Sequence, residues 1–378
     1  MKTAAIISCN DNYDYETRTK YVYDFLHEKG YVITFFVADF DHRNKKKYST
    51  DRLDNLKYIH VRSYEKNLSV KRILSHFDFA KGVKNELKYH HYDLVYHCAP
   101  PNSTIRVLSN IRKNRDFKLI TEIGDMWPET MPASEGIKKI LFIPLSIWRL
   151  LRDKYLFNSD VIIAECNLFK KQLEKNTGLS QIRTLYFCKK ENFVNKSNIF
   201  NQENRISFCY LGSINNIIDC DMIGMFVREL AIDREVLVHI IGDGEKRDEL
   251  IDLIKANGGQ PVFYGKVFSE ESKKEIFSKC DYCLNIMKTT VNVGMTMKSL
   301  DYFSFGIPII NNIGGDIEKM VKTETIGFNI NSNNIKSVVD AIKKCDSEDY
   351  EIMKKNVESV HEKYFSIEKF KMEMQKIL

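Results

Sequence analysis

Short apolar runs alternate along this chain with longer stretches whose apolar residues return every three or four positions. The runs at 4–8, 32–37, 58–61, 93–97, 118–123 and 161–164 are largely apolar on both faces, as strands covered from two sides are. Between them, 16–29 sets Tyr21, Val22, Phe25 and Leu26 on one face and stops at Gly30. The stretch 70–88 does the same with Ile73, Leu74, Phe77, Ala80, Val83 and Leu87. Further helices are predicted over 103–112 and up to Gly178. Such strands separated by amphipathic helices predict a parallel sheet with helices on both faces.

The period is lost at 191–204, a polar, Asn-rich stretch that reads as a linker, and then restarts. Strands are expected at 206–210, 237–241, 262–264, 282–286 and 307–311, and helices from Asp221, at 245–256, 270–278 and 297–305. The end, 335–378, reads as helical throughout. The expected organisation is two Rossmann-like α/β domains facing a cleft: 1–190, linker 191–204, 205–360, and a C-terminal helix 361–378 crossing back to the first. In such sheets ligands lie beyond the carboxyl ends of the strands.

Composition narrows the class. With 378 residues and 12% aromatic content the chain is neither disordered nor low in complexity. The opening MKTAAIISCN reads as a first strand and not as a secretory signal, and no apolar run is long enough to span a bilayer. Nine scattered cysteines fit a reducing compartment, and Cys280 and Cys283 read as small buried residues before they read as a metal or redox pair. Charge is uneven: residues 1–190 hold 33 Lys and Arg against 22 Asp and Glu, whereas the remainder holds 24 against 29. A basic first half points to an anionic partner there.

The densest candidate chemistry is the run 296–308, TMKSLDYFSFGIP. Read as a helix start, it offers free amide N–H groups and a partial positive charge suited to a diphosphate. Lys298 would add a full charge and Asp301 could accept sugar hydroxyls, although on spacing alone an ion pair between the two on a solvated face is the simpler reading. This run resembles the Lys-x-x-Glu-Tyr…Gly-x-Pro-Val-Ile segment of GT-B glycosyltransferases, especially glycosyltransferase family 4. The resemblance implies that Asp301 holds the ribose of a nucleotide-sugar, with Lys298 and the amides around Gly294, Met295, Thr296 and Met297 near the diphosphate.

Three more segments are similar to the family's in order: 210–213 with Gly212 and Ser213 on the first donor-domain loop, 240–244 with the turn Gly242-Asp243-Gly244, and 264–267 with Lys266 and Val267 beside the base. In the first half, 96–101 and 123–129 (IGDMWPE) look like the Pro-Pro and Asp-Leu-Trp-Pro segments of the branch that builds bacterial O-antigens, capsules and exopolysaccharides. The departures are specific. Residues 213–218 lack the Arg and Lys that usually neutralise the diphosphate, Val293 stands where the family has a Glu on the transferred sugar, and 10–13 lacks the glycine-rich first loop. Lys266 and Lys298 are therefore the expected charge partners.

Other residues carry open readings. Asp39–Asp41 and Asp219–Asp221 could hold a cation or cap local structure, but the resemblance implies no metal and no other cofactor. His97 ends a strand, as a cleft residue or as a satisfied histidine. Asp125, just after another strand, could orient or deprotonate an acceptor hydroxyl or cap the next turn. The stretch 137–157 places Lys138, Lys139, Arg149, Arg152 and Lys154 around many large apolar residues, which suits either an interfacial membrane helix or a core helix with a solvated charged side.

These readings combine into an expected enzyme that moves a sugar from a UDP-, GDP- or dTDP-sugar to a hydroxyl of a saccharide or polyprenyl-diphosphate-linked acceptor, with retention as the resemblance implies. It would be cytoplasmic and peripheral to the inner face of the plasma membrane, and no nucleic-acid motif occurs. Asp125, His97 and Lys298 are the candidate catalytic residues. A nucleotide-sugar 2-epimerase of the same fold and an inactive partner subunit are the alternatives.

Overall fold

A computed structural model describes residues 1–11, 17–48, 55–67, 69–131, 135–194 and 204–378. The chain divides into two compact units, Met1–Tyr186 together with Lys371–Leu378, and Phe187–Phe370.

The first unit holds β1 (Thr3–Ser8), β2 (Val32–Ala38), β3 (Phe40–Asp41), β4 (Lys46–Lys47), β5 (Leu56–Ile59), β6 (Leu94–Ala99), β7 (Lys118–Ile123), β8 (Val161–Ala164) and β9 (Ile182–Thr184). Seven of these form one parallel sheet in the order β5-β2-β1-β6-β7-β8-β9, and β3 and β4 make a small antiparallel ribbon. Ala4 to Ile7, Val95 and Ile120 are buried completely, which explains why their runs carry no polar alternation. Each such Ile or Val adds about 1.5–3 kcal/mol of burial.

The second unit holds β10 (Arg205–Leu211), β11 (Glu235–Ile241), β12 (Gly259–Gly265), β13 (Tyr282–Asn285), β14 (Ile309–Asn311) and β15 (Gly327–Asn329). They form one parallel sheet in the order β12-β11-β10-β13-β14-β15. Helix Cys220–Leu230 turns Ile223, Phe226, Val227 and Leu230 onto it. Asp219 starts that helix by accepting the Met222 N–H at 3.0 Å, so this carboxylate caps.

Several expected boundaries move. The first helix runs Arg18–Glu28, and Glu16 lies outside the described residues. The strand expected at 58–61 is β5, two residues earlier, paired Phe35 to Leu56. The continuous helix expected over 335–378 is three, Ile335–Lys344, Ser347–Val360 and Ile367–Ile377, with a π-helical turn at His361–Phe365. The first break is chemical: Asp346 accepts the Asp349 N–H at 2.8 Å and starts a new helix inside an unbroken apolar period. From Lys371 on, the last helix belongs to the first unit, where Lys118 donates to the carbonyls of Ile377 and Leu378 at 2.8 and 2.7 Å. In the stretch expected as a linker, 195–203 lie outside the described residues, while Asn192 and Val194 bond the carbonyls of Ser304 and Phe305 in the second unit.

The segment 137–157 forms helices Glu135–Ile140 and Phe142–Asp153. A core helix with a solvated charged side is not what it makes. Ile140 is 83% exposed, Phe142 65% and Ile143 69%, whereas Arg152 is fully buried. Arg152 pairs with Glu129 and Asp153 and donates to the Trp127 carbonyl, anchoring the helix from its charged side. Among the described residues no helix is long and apolar enough to cross a membrane.

Candidate functional site

Both sheets reverse their strand order beside their first strand, between β1 and β6 and between β10 and β13, and loops at the carboxyl ends there are free to meet a ligand. In the second unit these loops are stitched to each other. Gly212 N–H donates to the Ile241 carbonyl at 2.9 Å, and Gly242 N–H donates to the Gly265 carbonyl at 2.7 Å. Gly242 has φ +138°, and a Cβ there would sit 1.9 Å from the Gly212 carbonyl oxygen; one on Gly244 would sit 2.2 Å from that of Ile214. The glycines of the Gly-x-Gly turn are thus explained by loop-on-loop packing. Ser213 and Lys266 are exposed on their loops, and Val267 is half-buried.

Helix Met297–Ser304 begins at the switch point, with Gly294 and Met295 buried ahead of it and Met297 exposed. Thr296 is its cap: the hydroxyl accepts the Ser299 N–H at 3.2 Å and contacts Asn285 Oδ1 at 3.0 Å. Asn285 continues through Asn311 to Asn329, each step 2.8 Å, so a ladder of amides across β13, β14 and β15 fixes the cap. From the helix, Tyr302 donates to the Leu284 carbonyl at 3.1 Å and accepts the Leu211 N–H at 2.9 Å, tying the ends of β13 and β10.

Lys298 and Asp301 do not pair with each other. Lys298 Nζ stands 4.5 Å from the centroid of the Tyr210 ring, with no carboxylate partner among the described residues, and burial lowers its ammonium to about 7. Asp301 instead meets Lys189, and Lys273 at 3.3 Å, and both lysines also reach Glu270. Both contacts use Oδ1 of Asp301. Sequence reasoning missed Lys189, Glu270 and Lys273, which lie far from Asp301 along the chain and carry no local motif.

In the first unit the carboxyl ends gather acids. Asp125 follows β7, accepts from the Thr130 hydroxyl, and is pushed by burial up to about 6. Glu165 follows β8 and is pushed by burial up to about 8, with the charges of Glu122 and Asp125 adding to the rise and Arg18 opposing it. Arg18 pairs with the buried Glu122, to which Tyr96 also donates. Glu165 was missed as well, though a signal existed: it directly follows an apolar strand, much as Asp125 does.

Burial and bonding decide the other open readings. His97 is neither a cleft residue nor a satisfied one: it is fully buried in β6, both ring nitrogens lack a partner among the described residues, and burial lowers it to about 3. Asp39 bonds Lys47, His60 and the Val61 amide, and Asp41 accepts the amides of Arg43 and Asn44, so both organise the ribbon. Cys280 and Cys283 are buried.

Comparison with known proteins agrees with this arrangement. The family model of glycosyl transferases group 1 matches residues 205–347. Sucrose-phosphate synthase from Thermosynechococcus elongatus is similar over 100% of this chain and 98% of its own, at 14% identity and a TM-score of 0.74. The lipopolysaccharide outer core galactosyltransferase WaaB, in its apo form, is similar over 100% and 99%, at 18% identity and a TM-score of 0.68. Anabaena HepE in complex with UDP and glucose is similar over 100% and 99%, at 12% identity and a TM-score of 0.67. No curated protein sequence matches the chain. The second unit therefore carries a domain of the glycosyl transferases group 1 family, and the chain as a whole has the GT-B fold of the glycosyltransferases it is similar to.

Proposed function

We propose that this glycosyltransferase takes a nucleotide-sugar, a UDP-sugar first among the candidates, and passes its sugar to a hydroxyl of a lipid-linked saccharide during cell-surface polysaccharide assembly. The observation that carries the reading is the capped helix Met297–Ser304, which holds Lys298 half-buried and without a carboxylate partner among the described residues. A cation kept from water and left uncompensated favours an anion in front of it. As the nucleoside diphosphate leaves the anomeric carbon, Lys298 and the first amides of the helix oppose the charge that develops, with Lys266 assisting from its exposed loop. Asp301 accepts ribose hydroxyls through Oδ2, because its lysine partners use Oδ1. The choice of UDP is supported by the complexes of HepE with UDP and UDP-glucose.

The first unit takes the acceptor. Asp125, ionised above about pH 6, orients or deprotonates the incoming hydroxyl. The outward apolar side of helix Phe142–Asp153, with Arg149 and Lys154 beside it, supports a peripheral position on the inner face of the plasma membrane, where a lipid-linked acceptor is at hand. Retention of anomeric configuration is the stereochemical course we assign. The test is a thermal-shift screen with UDP, GDP and dTDP on the parent, Lys298→Ala and Asp301→Ala. UDP is expected to stabilise the parent most and both variants least; variants that bind as the parent does would break the assignment. Incubation with a UDP-sugar alone separates an epimerase, which would interconvert it.

A further inference from the structure

Both tryptophans of this chain, Trp127 and Trp148, line one cavity of about 700 Å³ in the first unit, shared by helices Val70–Tyr89, Asn102–Arg112 and Phe142–Asp153. Its walls are mostly apolar, with Ile73, Leu145 and Leu151 among them. Of the polar side chains in the lining, Arg72, His76 and Asn102 are each nine-tenths buried or more and keep a polar atom without a partner among the described residues.

None of the three is satisfied. The Arg72 guanidinium lies over the Trp127 ring at 4.5 Å and donates through Nη1 to the Asn67 carbonyl, yet its Nε has no acceptor. Its side chain also meets Tyr64, and Asp125 acts on its charge, but no carboxylate among the described residues forms an ion pair with it. Both ring nitrogens of His76 and the amide oxygen of Asn102 also lack partners, although Asn102 Nδ2 donates to the Trp127 and Trp148 carbonyls. Burial, with Arg72 beside it, keeps His76 neutral by lowering it to about 3, so its ring offers one N–H and one lone pair. Water could satisfy the hydrogen bonds, but the carboxylate charge that acts on Arg72, that of Asp125, does so from beyond ion-pair distance, and a buried charge so weakly compensated is costly. The missing partner has oxygen acceptors for Arg72 and His76, an O–H for Asn102 or His76, a negative charge, and an apolar remainder that fits the walls.

We infer that this cavity binds a single-chain lipid phosphate, with the phosphate at Arg72, His76 and Asn102 and the chain along Ile73, Leu145 and Leu151. A second cavity, of about 930 Å³, shares Phe77 and Ser103 with the first and is lined by Lys81, Lys84, Lys88 and Arg106, so the field beside the first cavity is positive. The exposed Phe142, Ile143 and Ile147 lie on the helix that borders the cavity, where a chain leaving a bilayer would first meet protein. The inference deepens the acceptor reading above and rests on it, because it names the part of a lipid-linked acceptor that the first unit grips.

Tryptophan emission reports this cavity alone, since the chain has no other tryptophan. Titrating the full chain with farnesyl phosphate is expected to shift emission saturably, while farnesol binds roughly tenfold more weakly, the weight of one charge-assisted hydrogen bond. Inorganic phosphate leaves the emission unchanged. Arg72→Met removes the preference for the phosphate over the alcohol. Because a buried arginine is risky to replace, Ile147→Glu at the exposed rim is the second variant: it weakens farnesyl phosphate roughly tenfold and farnesol little. Equal binding of the two ligands by the parent, or phosphate affinity unmoved by both variants, overturns the inference. So does a response to phosphatidylglycerol vesicles without one to farnesyl phosphate, which would make this face a bilayer contact. UDP stabilisation of the same samples keeps the readings apart: intact UDP binding without lipid phosphate binding sinks this site alone, and the converse leaves it standing.

Discussion

The two sheets of this chain share one winding, outward from the first strand on one side and then outward on the other, yet their carboxyl ends hold opposite chemistry. In the first unit the ends of β7 and β8 lead into Asp125 and Glu165, which burial raises to about 6 and about 8. In the second, glycine loops pack on one another and a capped helix holds Lys298, which burial lowers to about 7. Beyond these strand ends burial thus weakens the charge of carboxyls in one unit and of an ammonium in the other. Strand order decides where a ligand can sit, and the few residues beyond the strands decide what kind.

The contrast breaks most sharply at Lys298. Lys298→Met removes the one cation on the capped helix, and we expect kcat/KM to fall about 10³-fold, about 4 kcal/mol of stabilisation of the leaving diphosphate. The pH dependence has a definite sign. Free Lys298 loses its proton as pH rises through about 7, while bound diphosphate retains it. UDP affinity is therefore full below 7 and weakens by up to roughly tenfold per pH unit above it. Calorimetry from pH 6 to 9 checks this, and a flat profile in the parent would remove Lys298 from the site. Next in size is Gly242→Ala, which forces a Cβ to within 1.9 Å of the Gly212 oxygen at φ +138°. About 3 kcal/mol of stability should be lost, against about 1 kcal/mol for Gly30→Ala in the first unit. Gly30 has φ +79° and open space around its Cβ position, so the pair separates backbone strain from loop contact in urea unfolding.

Much of this frame is legible in the sequence. Apolar runs such as 32–37 and 161–164 read as strands buried on both faces, and β2 and β8 are largely so. The helix expected at 297–305 does begin at Met297, although the Thr296 cap that starts it was not read from the sequence. What stayed hidden is either too short or too distant. β9 and β15 span three residues each and are held along their whole length by the neighbouring β8 and β14. The partners of Asp301 come from positions 189 and 273, and no spacing rule reaches that far. His97 misled because its place at a strand end says nothing of which face its ring turns to.

Asp125 carries the next prediction. Its carboxyl, raised above the ordinary range, is ionised above about pH 6 and protonated below. If it serves the acceptor hydroxyl, the rate with saturating donor rises through pH 6 and is lost as pH falls through it. Asp125→Asn should lower kcat about 10²-fold and abolish that limb while UDP binding stays at the parental value. A variant that loses UDP affinity in step with kcat would place Asp125 with the donor and erase the division of labour between the units.

The smallest effect tests what holds the second unit's helix in place. Asn311 lies fully buried between Asn285 and Asn329, accepting from one and donating to the other at 2.8 Å, and it also donates to the Ile313 carbonyl. Asn311→Leu conserves the shape but leaves the Asn285 Nδ2 and the Asn329 Oδ1 unpaired in a dry layer. The cost is about 2 kcal/mol, a fall in Tm of about 4–8 °C for a unit of this size. Because Asn285 Oδ1 orients the Thr296 hydroxyl, the capped amides should also lose their aim, so UDP binds severalfold more weakly while the pH 6 limb from Asp125 is untouched. Stability lost with UDP affinity unchanged would mean that the ladder only cements the sheet, and that the cap needs nothing beyond its own first turn.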